Sequence, residues 1–267
     1  MAPERGGVRN ARPCGAVQTR SSGPCQAAAV IDDLWTRLSA TQPPLHPVVV
    51  VGLAVLAAVI TWSPTGHHLV RHVVTVVHEA GHALVALVVG RKLSGITLHR
   101  DTSGVTVSRG RPRGPGMVAT VLAGYPAPAL VGLLGAVVLG AGYAAAWLWA
   151  LVALCVAMLL LIRNLYGAWV VLALGVTVAA LSWWAPGPVL SAAAHLTVWG
   201  LLLAAPRAVV SMQRGRSHAR QRGRRELSDA DQLADLTGIP GALWVGFFWA
   251  VCVACLAAAL WLALPVP

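Results

Sequence analysis

The sequence predicts an all-α polytopic membrane protein with about seven transmembrane helices. Three observations carry that reading: the composition, the lengths of the apolar runs, and the places where the basic residues fall. Of 267 residues, 57% are apolar and 11% charged, against about a quarter charged in an ordinary soluble domain. Mean hydropathy is +0.70. Nine acidic and 20 basic side chains, clustered as they are, are too few to cover a soluble surface of this size. The net charge of +11 does not point to nucleic acid. The bases lie between apolar runs, where they report membrane orientation, and no nucleic acid is expected as a partner. The five cysteines, Cys14, Cys25, Cys155, Cys252 and Cys255, are odd in number and lack a secreted-domain spacing, so no disulfide framework is expected. Cys252 and Cys255 read as small packing residues one helical turn apart.

Residues 1–44 are rich in Gly, Pro, Ser and Arg, a composition that favours a disordered basic cytoplasmic tail. A short amphipathic piece, Ile31 to Leu38, ends it. The tail has no apolar core near its start and does not read as a signal peptide. The membrane domain spans 45–265. Seven apolar segments fill it, at 46–62, 67–90, 116–140, 143–162, 164–184, 188–205 and 241–264, each near the roughly 20 residues a bilayer requires. Between the fifth and sixth, SWWAPGP (182–188) reads as a turn with interfacial tryptophans. In the third, Gly124, Pro128, Gly132, Ala136 and Gly140 recur every four residues and form a small-residue stripe that lets another helix approach.

Orientation follows from the basic residues. With the N-terminus in the cytoplasm, the inner stretches 1–45, 91–115, Arg163 and 206–240 carry 19 of the 20, and only Arg71 falls outside. The positive-inside rule then gives seven helices in the plasma (inner) membrane, N-terminus in and C-terminus out. The inner loop 206–240 holds seven arginines between Arg207 and Arg225 without interleaved aromatics. It reads as a solvated anchor to anionic lipid.

The second segment carries the chemistry: His78-Glu79-Ala80-Gly81-His82 within VVTVVHEAGHALVALVVG. Histidines at i and i+4 share one helical face, so both imidazoles can reach one cation. Glu79, beside the first, can take a proton from an attacking water and return it to a leaving amine, the zinc-hydrolase arrangement. Ionisable groups inside an apolar helix cost several kcal/mol unless they are paired or bound to something. His82 lies nine residues before Arg91, about 13 Å beneath the cytoplasmic boundary at ~1.5 Å per residue.

With these residues the sequence resembles the site-2 protease family of intramembrane zinc metallopeptidases, over roughly 67–250. Gly90 to Gly110, with ITL and VTV flanking DTSG, is similar to the small β-hairpin that follows that family's first motif helix. AGYPAPALVGLLGA (123–136) matches the place of its Gly-Pro-containing helix. RNLYGAWVVLALG (163–175) and SDADQLADLTGIPGALWV (228–245) look like a compact bacterial, peptidase-like branch. The resemblance implies a zinc endopeptidase. His78 and His82 would be ligands and Glu79 the general base, and the substrate would be a membrane protein or peptide cut in or near a transmembrane segment. The sequence departs from the family in one respect: the Asn-x-x-Pro-x-x-x-x-Asp-Gly motif that carries the third ligand is absent.

A catalytic zinc normally has three protein ligands and an open position. Outside the tail and Glu79, the acidic residues are Asp101, Glu226, Asp229, Asp231 and Asp235. Asp229 ranks first, in a helix-start sequence on the cytoplasmic side, although Asp there also serves as a cap. Asp231 and Asn164 are the alternatives. His195 reads as a satisfied polar residue, and His67, His68 and His72 as interfacial. The competing reading of the whole chain is a non-catalytic metal-binding or scaffold protein of the same family. A transporter is disfavoured, because no inverted repeats or membrane-embedded acidic chains are visible.

Overall fold

The computed structural model describes residues 32–223 and 228–263. The chain divides into two units, Met1–Thr36 and Arg37–Pro267. In the first, residues 32–36 are helical, and the Thr36 hydroxyl donates to the Asp32 carbonyl at 2.8 Å. Of the tail expected over residues 1–44, residues 1–31, with Cys14 and Cys25, lie outside the described residues, as does Glu226. The second unit holds the apolar helices and one hairpin.

Its elements are α1 (Pro47–Trp62), α2 (Pro64–Val88), β1 (Lys92–Leu98), β2 (Gly104–Arg109), α3 (Pro115–Leu122), α4 (Pro126–Gly140), α5 (Ala144–Leu161), α6 (Leu165–Trp184), α7 (Gly187–Gln221), α8 (Asp229–Thr237) and α9 (Gly241–Ala263). Proline opens α1, α2, α3 and α4, where its missing N–H costs nothing and its fixed φ suits the first turn. Ser63 caps α2, its hydroxyl accepting from the Gly66 amide at 3.1 Å. α7 is the packing centre. It meets α1, α4 and α9 along its length, and Val198, Leu201 and Leu202 are buried there. The small-residue stripe serves this contact: Gly132 lies against Leu202, and neighbouring Gly135 against Val198 and Trp147. α5 and α6 pair with each other.

The hairpin is antiparallel, with Ile96 opposite Thr106 and Thr97 opposite Val105. Its turn is closed by Asp101, whose Oδ1 accepts from the Ser103 hydroxyl at 2.6 Å and from the Ser103 amide at 3.0 Å. Those bonds hold the Asp101 carboxyl below its ordinary range. The outer edge of β1 is covered by the α5–α6 connection. Ile162 bridges Ile96, the Arg163 amide donates to the Ile96 carbonyl at 2.9 Å, and the Asn164 side chain binds both the amide and the carbonyl of Leu98.

Against the seven spans expected, the described residues hold four to six candidate spans. Among the described residues, four helices, α5, α6, α7 and α9, are long and apolar enough to cross a bilayer alone, or up to six spans if each bent pair counts as one. The pairs are α1–α2, bent by 98°, and α3–α4, bent by 62°. The 16 residues of α1 reach about 24 Å at ~1.5 Å per residue, short of a hydrocarbon core of about 30 Å. At Ser63-Pro64 the chain then turns through about a right angle.

The contacts agree with that path. The Gln42 amide donates to the Gly142 carbonyl at 2.8 Å, the Ala145 amide donates to the Gln42 side chain, and Arg37 donates to the Trp183 carbonyl and covers the Trp183 ring. At the far end of α1, Arg207 of α7 donates to the Thr61 carbonyl. So α1 runs parallel to α7, and residues 37–46 share an end with the start of α5 and the end of α6, the end that the seven-span reading placed across the membrane from them. The expected loop 206–240 is also mostly helical: α7 continues through Pro206 to Gln221, and α8 fills 229–237.

This path makes a prediction. In a background without native cysteines, single cysteines replacing Ala40 and Gly187 should react with an impermeant maleimide from the same side of the membrane, and one replacing Arg111 from the other side. Labelling of positions 40 and 111 from one side would restore the seven-span arrangement.

Candidate metal centre

α2 places His78 and His82 one turn apart on the face turned to α3 and α4. The two Nε2 atoms are 3.1 Å from each other. α8 brings Asp229 to them from outside the apolar bundle, with Oδ2 at 3.4 Å from His78 Nε2 and 3.2 Å from His82 Nε2. The resulting triangle has edges of 3.1, 3.2 and 3.4 Å. One face of a zinc tetrahedron with ~2.0–2.1 Å bonds has edges of about 3.3 Å, so the three atoms are spaced as ligands of one ion would be.

The chemistry of the three atoms points the same way. His82 Nδ1 lies 2.7 Å from the Thr120 carbonyl. As a donor there it leaves the Nε2 lone pair free, the usual way a ligand histidine has its tautomer fixed. Thr120 is in the last turn of α3, where carbonyls have no partner within the helix, so the α3–α4 break supplies the acceptor. Asp229 Oδ2 is buried and accepts no hydrogen bond. Burial alone would push the Asp229 carboxyl up, but the facing His82 and His78 imidazoles hold it well below the usual carboxylate range. A buried carboxylate oxygen facing two imidazole nitrogens is an arrangement that could hold a metal ion.

Room for the group comes from glycine. A Cβ on Gly124 would lie 2.6 Å from His78 Cε1 and would also collide with the His82 ring. Tyr125 follows, edge-on to His78 at 4.7 Å between ring centroids and stacked on Phe248 of α9 at 5.3 Å. Glu79 is not part of the triangle. It is 3% exposed on the adjoining face of α2, where Oε2 accepts from the Thr106 hydroxyl of β2 at 2.6 Å. Oε1 lies over Gly104, where any Cβ would strike it.

The other sequence candidates go elsewhere. Asp231 is taken by Arg216, whose two bonds, with burial opposing them, lower its carboxyl pKa. Asn164 is committed to Leu98. His195 bonds the Ser191 carbonyl of its own helix. His72 uses both ring nitrogens, on the His68 carbonyl and the Tyr166 hydroxyl. Cys252 and Cys255 are buried and unpaired by disulfide. Sequence reasoning missed Thr106, Thr120, Gly124 and Tyr125. Of these only the Gly-Tyr-Pro interruption at 124–126 left a readable trace, as a helix breaker inside an apolar run.

The family model described as Peptidase M50B-like matches residues 51–259. The chain belongs to this family. It is therefore a multi-pass membrane protein of the site-2 protease family of intramembrane metallopeptidases, as the HEAGH helix suggested. No curated protein and no solved structure matches the chain. The matched region contains α2, the hairpin and α8, and so all three converging side chains of this M50B-like protein.

Gly124→Ala should remove the space beside both imidazoles while leaving every ligand type in place. Zinc bound per purified chain should fall at least tenfold with the helical circular dichroism unchanged. Full occupancy in this variant would show that Gly124 does not shape the site.

Proposed function

We propose that the protein is an intramembrane zinc metalloprotease that hydrolyses peptide bonds in or near transmembrane segments of other membrane proteins. The observation that carries the proposal is the orphaned, buried Asp229 carboxylate facing the paired imidazoles of an HExxH helix in an M50B-like chain. His78, His82 and Asp229 would hold the ion. Bound there, zinc supplies a Lewis acid that polarises the scissile carbonyl and makes water nucleophilic near neutral pH.

The rest is done by the chain. The Thr120 carbonyl keeps His82 in the tautomer that presents Nε2. The Thr106 hydroxyl fixes one Glu79 oxygen, so the carboxylate is aimed before substrate arrives. Glu79 takes a proton from the attacking water at its carboxylate and gives it to the departing amine, and water and peptide become acid and amine with no net proton change. An apolar cavity of about 790 Å³ adjoins the site, lined by Gly81, Leu84, Ala123, Leu130, Leu154 and Phe247. Gly81 and Ala123 are chain neighbours of His82 and Gly124, and the lining suits the side chains of a membrane-spanning substrate.

The described basic residues support an orientation in the plasma membrane. Six lie at 91–113, with Arg163 and the five of 207–222 in the same half of the fold. The positive-inside rule puts that end, and the site, toward the cytoplasm, with anionic lipid beside α7. Residues 37–46 then lie on the opposite side, away from the site.

Glu79→Gln should lower cleavage of a reporter carrying a transmembrane segment by about 10²–10⁴-fold, the contribution typical of a general acid–base, with zinc content unchanged. Equal cleavage by wild type and Glu79→Gln under zinc-replete conditions would exclude this mechanism. Zinc retained by a wild-type chain that cleaves no membrane substrate would favour the non-catalytic reading.

A further inference from the structure

α8 opens with two carboxylates that do different things. Asp229 faces the imidazoles; Asp231, two residues on, turns to Arg216. That arginine lies in the part of α7 beyond Pro206. At 35 residues α7 is about 52 Å long at ~1.5 Å per residue, far more than one crossing needs, and the overhang delivers Arg216 to α8.

Arg216 is 2% exposed. Its Nε donates to Asp231 Oδ2 at 2.9 Å, its Nη2 to Asp231 Oδ1 at 2.6 Å, and its Nη1 to Gln213 Oε1 at 2.8 Å. The Ser228 hydroxyl adds a bond to Asp231 Oδ2 at 2.7 Å. The guanidinium lies in a slot against Gly241, where a Cβ would stand 2.5 Å from Nη2 and 3.0 Å from the Ala230 carbonyl. A two-pronged pair of this kind fixes orientation as well as distance.

α8 has nine residues, too few to hold a helix by itself in water. The Arg216 clamp and the fully buried Ala230 and Leu233 hold its first turn in place, and Asp229 is in that turn. We propose that Arg216 is a positioning residue of the metal centre: through Asp231 it sets the first turn of α8 so that the Asp229 carboxylate reaches His78 and His82. The inference rests on the reading of these three residues as a zinc site.

The test is zinc affinity of the full chain in detergent, measured by competition with a chromogenic chelator. Arg216→Ala should weaken zinc about 10–100-fold, the range for loss of a group that orients a ligand. Arg216→Lys should restore only part of this, because an ammonium cannot make the two-pronged contact. Gly241→Ala, which crowds the guanidinium without removing its charge, should weaken zinc in the same direction and guards against a variant that merely misfolds. The decisive comparison is the double variant: in an Asp229→Ala background, Arg216→Ala should cause no further loss, because it acts through Asp229. Wild-type affinity in Arg216→Ala, or an equal loss with and without Asp229, would overturn the proposal. Wild-type affinity in Asp229→Ala would instead overturn the three-ligand reading beneath it.

Discussion

Ionisable side chains inside an apolar helix persist only where another part of the fold meets them, and α2 carries three in five residues. Three other elements each supply one partner. β2 gives Glu79 the Thr106 hydroxyl, the last turn of α3 gives His82 the Thr120 carbonyl, and α8 brings a carboxylate to both imidazoles. The hairpin, the broken third span and the short helix outside the bundle differ in architecture, but each ends at α2. Remove any one and a buried polar atom loses its counterpart, at about 1–3 kcal/mol for an unmet hydrogen-bonding group.

The two bends in the bundle follow from this requirement. Irregular backbone at membrane depth survives where it is enclosed by protein or lines a polar site. The Gly124-Tyr125 interruption meets that condition. It frees carbonyls at the end of α3, brings backbone without a side chain against the imidazoles, and starts α4 at Pro126, where no amide is lost. The Ser63-Pro64 break before α2 has a different effect. It turns the chain through 98°, and α2 beyond it presents Glu79 to the hairpin and His78 and His82 to α8.

Much of the site was legible in the sequence and much of the path was not. HEAGH is a strictly local signal: i, i+4 spacing and the cost of burying ionisable groups suffice. The hairpin strands were legible from alternation around DTSG, and Asp229 from the scarcity of carboxylates. The arginine that orients α8 carried no signal, because nothing in the sequence pairs Arg216, rather than any of six other arginines nearby, with Asp231. The positive-inside count is limited for a related reason. It assigns sides only after crossings are counted, and an apolar run of 16 residues reads as a crossing whether or not the chain turns back after it. Here the chain bends by 98° at Ser63-Pro64, and the side the rule assigns to residues 37–46 turns on how that one pair is counted.

The placement of Asp229 has a physical consequence for how the centre is assembled. A carboxylate carried on a membrane helix would have to enter the bilayer with its charge exposed or protonated before meeting its partners. One carried on α8 comes from outside the apolar helices and joins two imidazoles that α2 already holds one turn apart. The cost moves to positioning: a nine-residue helix has little rigidity of its own, so its first turn needs an anchor from the bundle. α7 supplies that anchor by continuing past Pro206 to Gln221, with Arg216 buried rather than solvated near its end. A buried guanidinium is itself unfavourable without a paired carboxylate, so Arg216 and Asp231 each require the other. The pairing that stabilises the arginine is the one that holds Asp229 against the imidazoles.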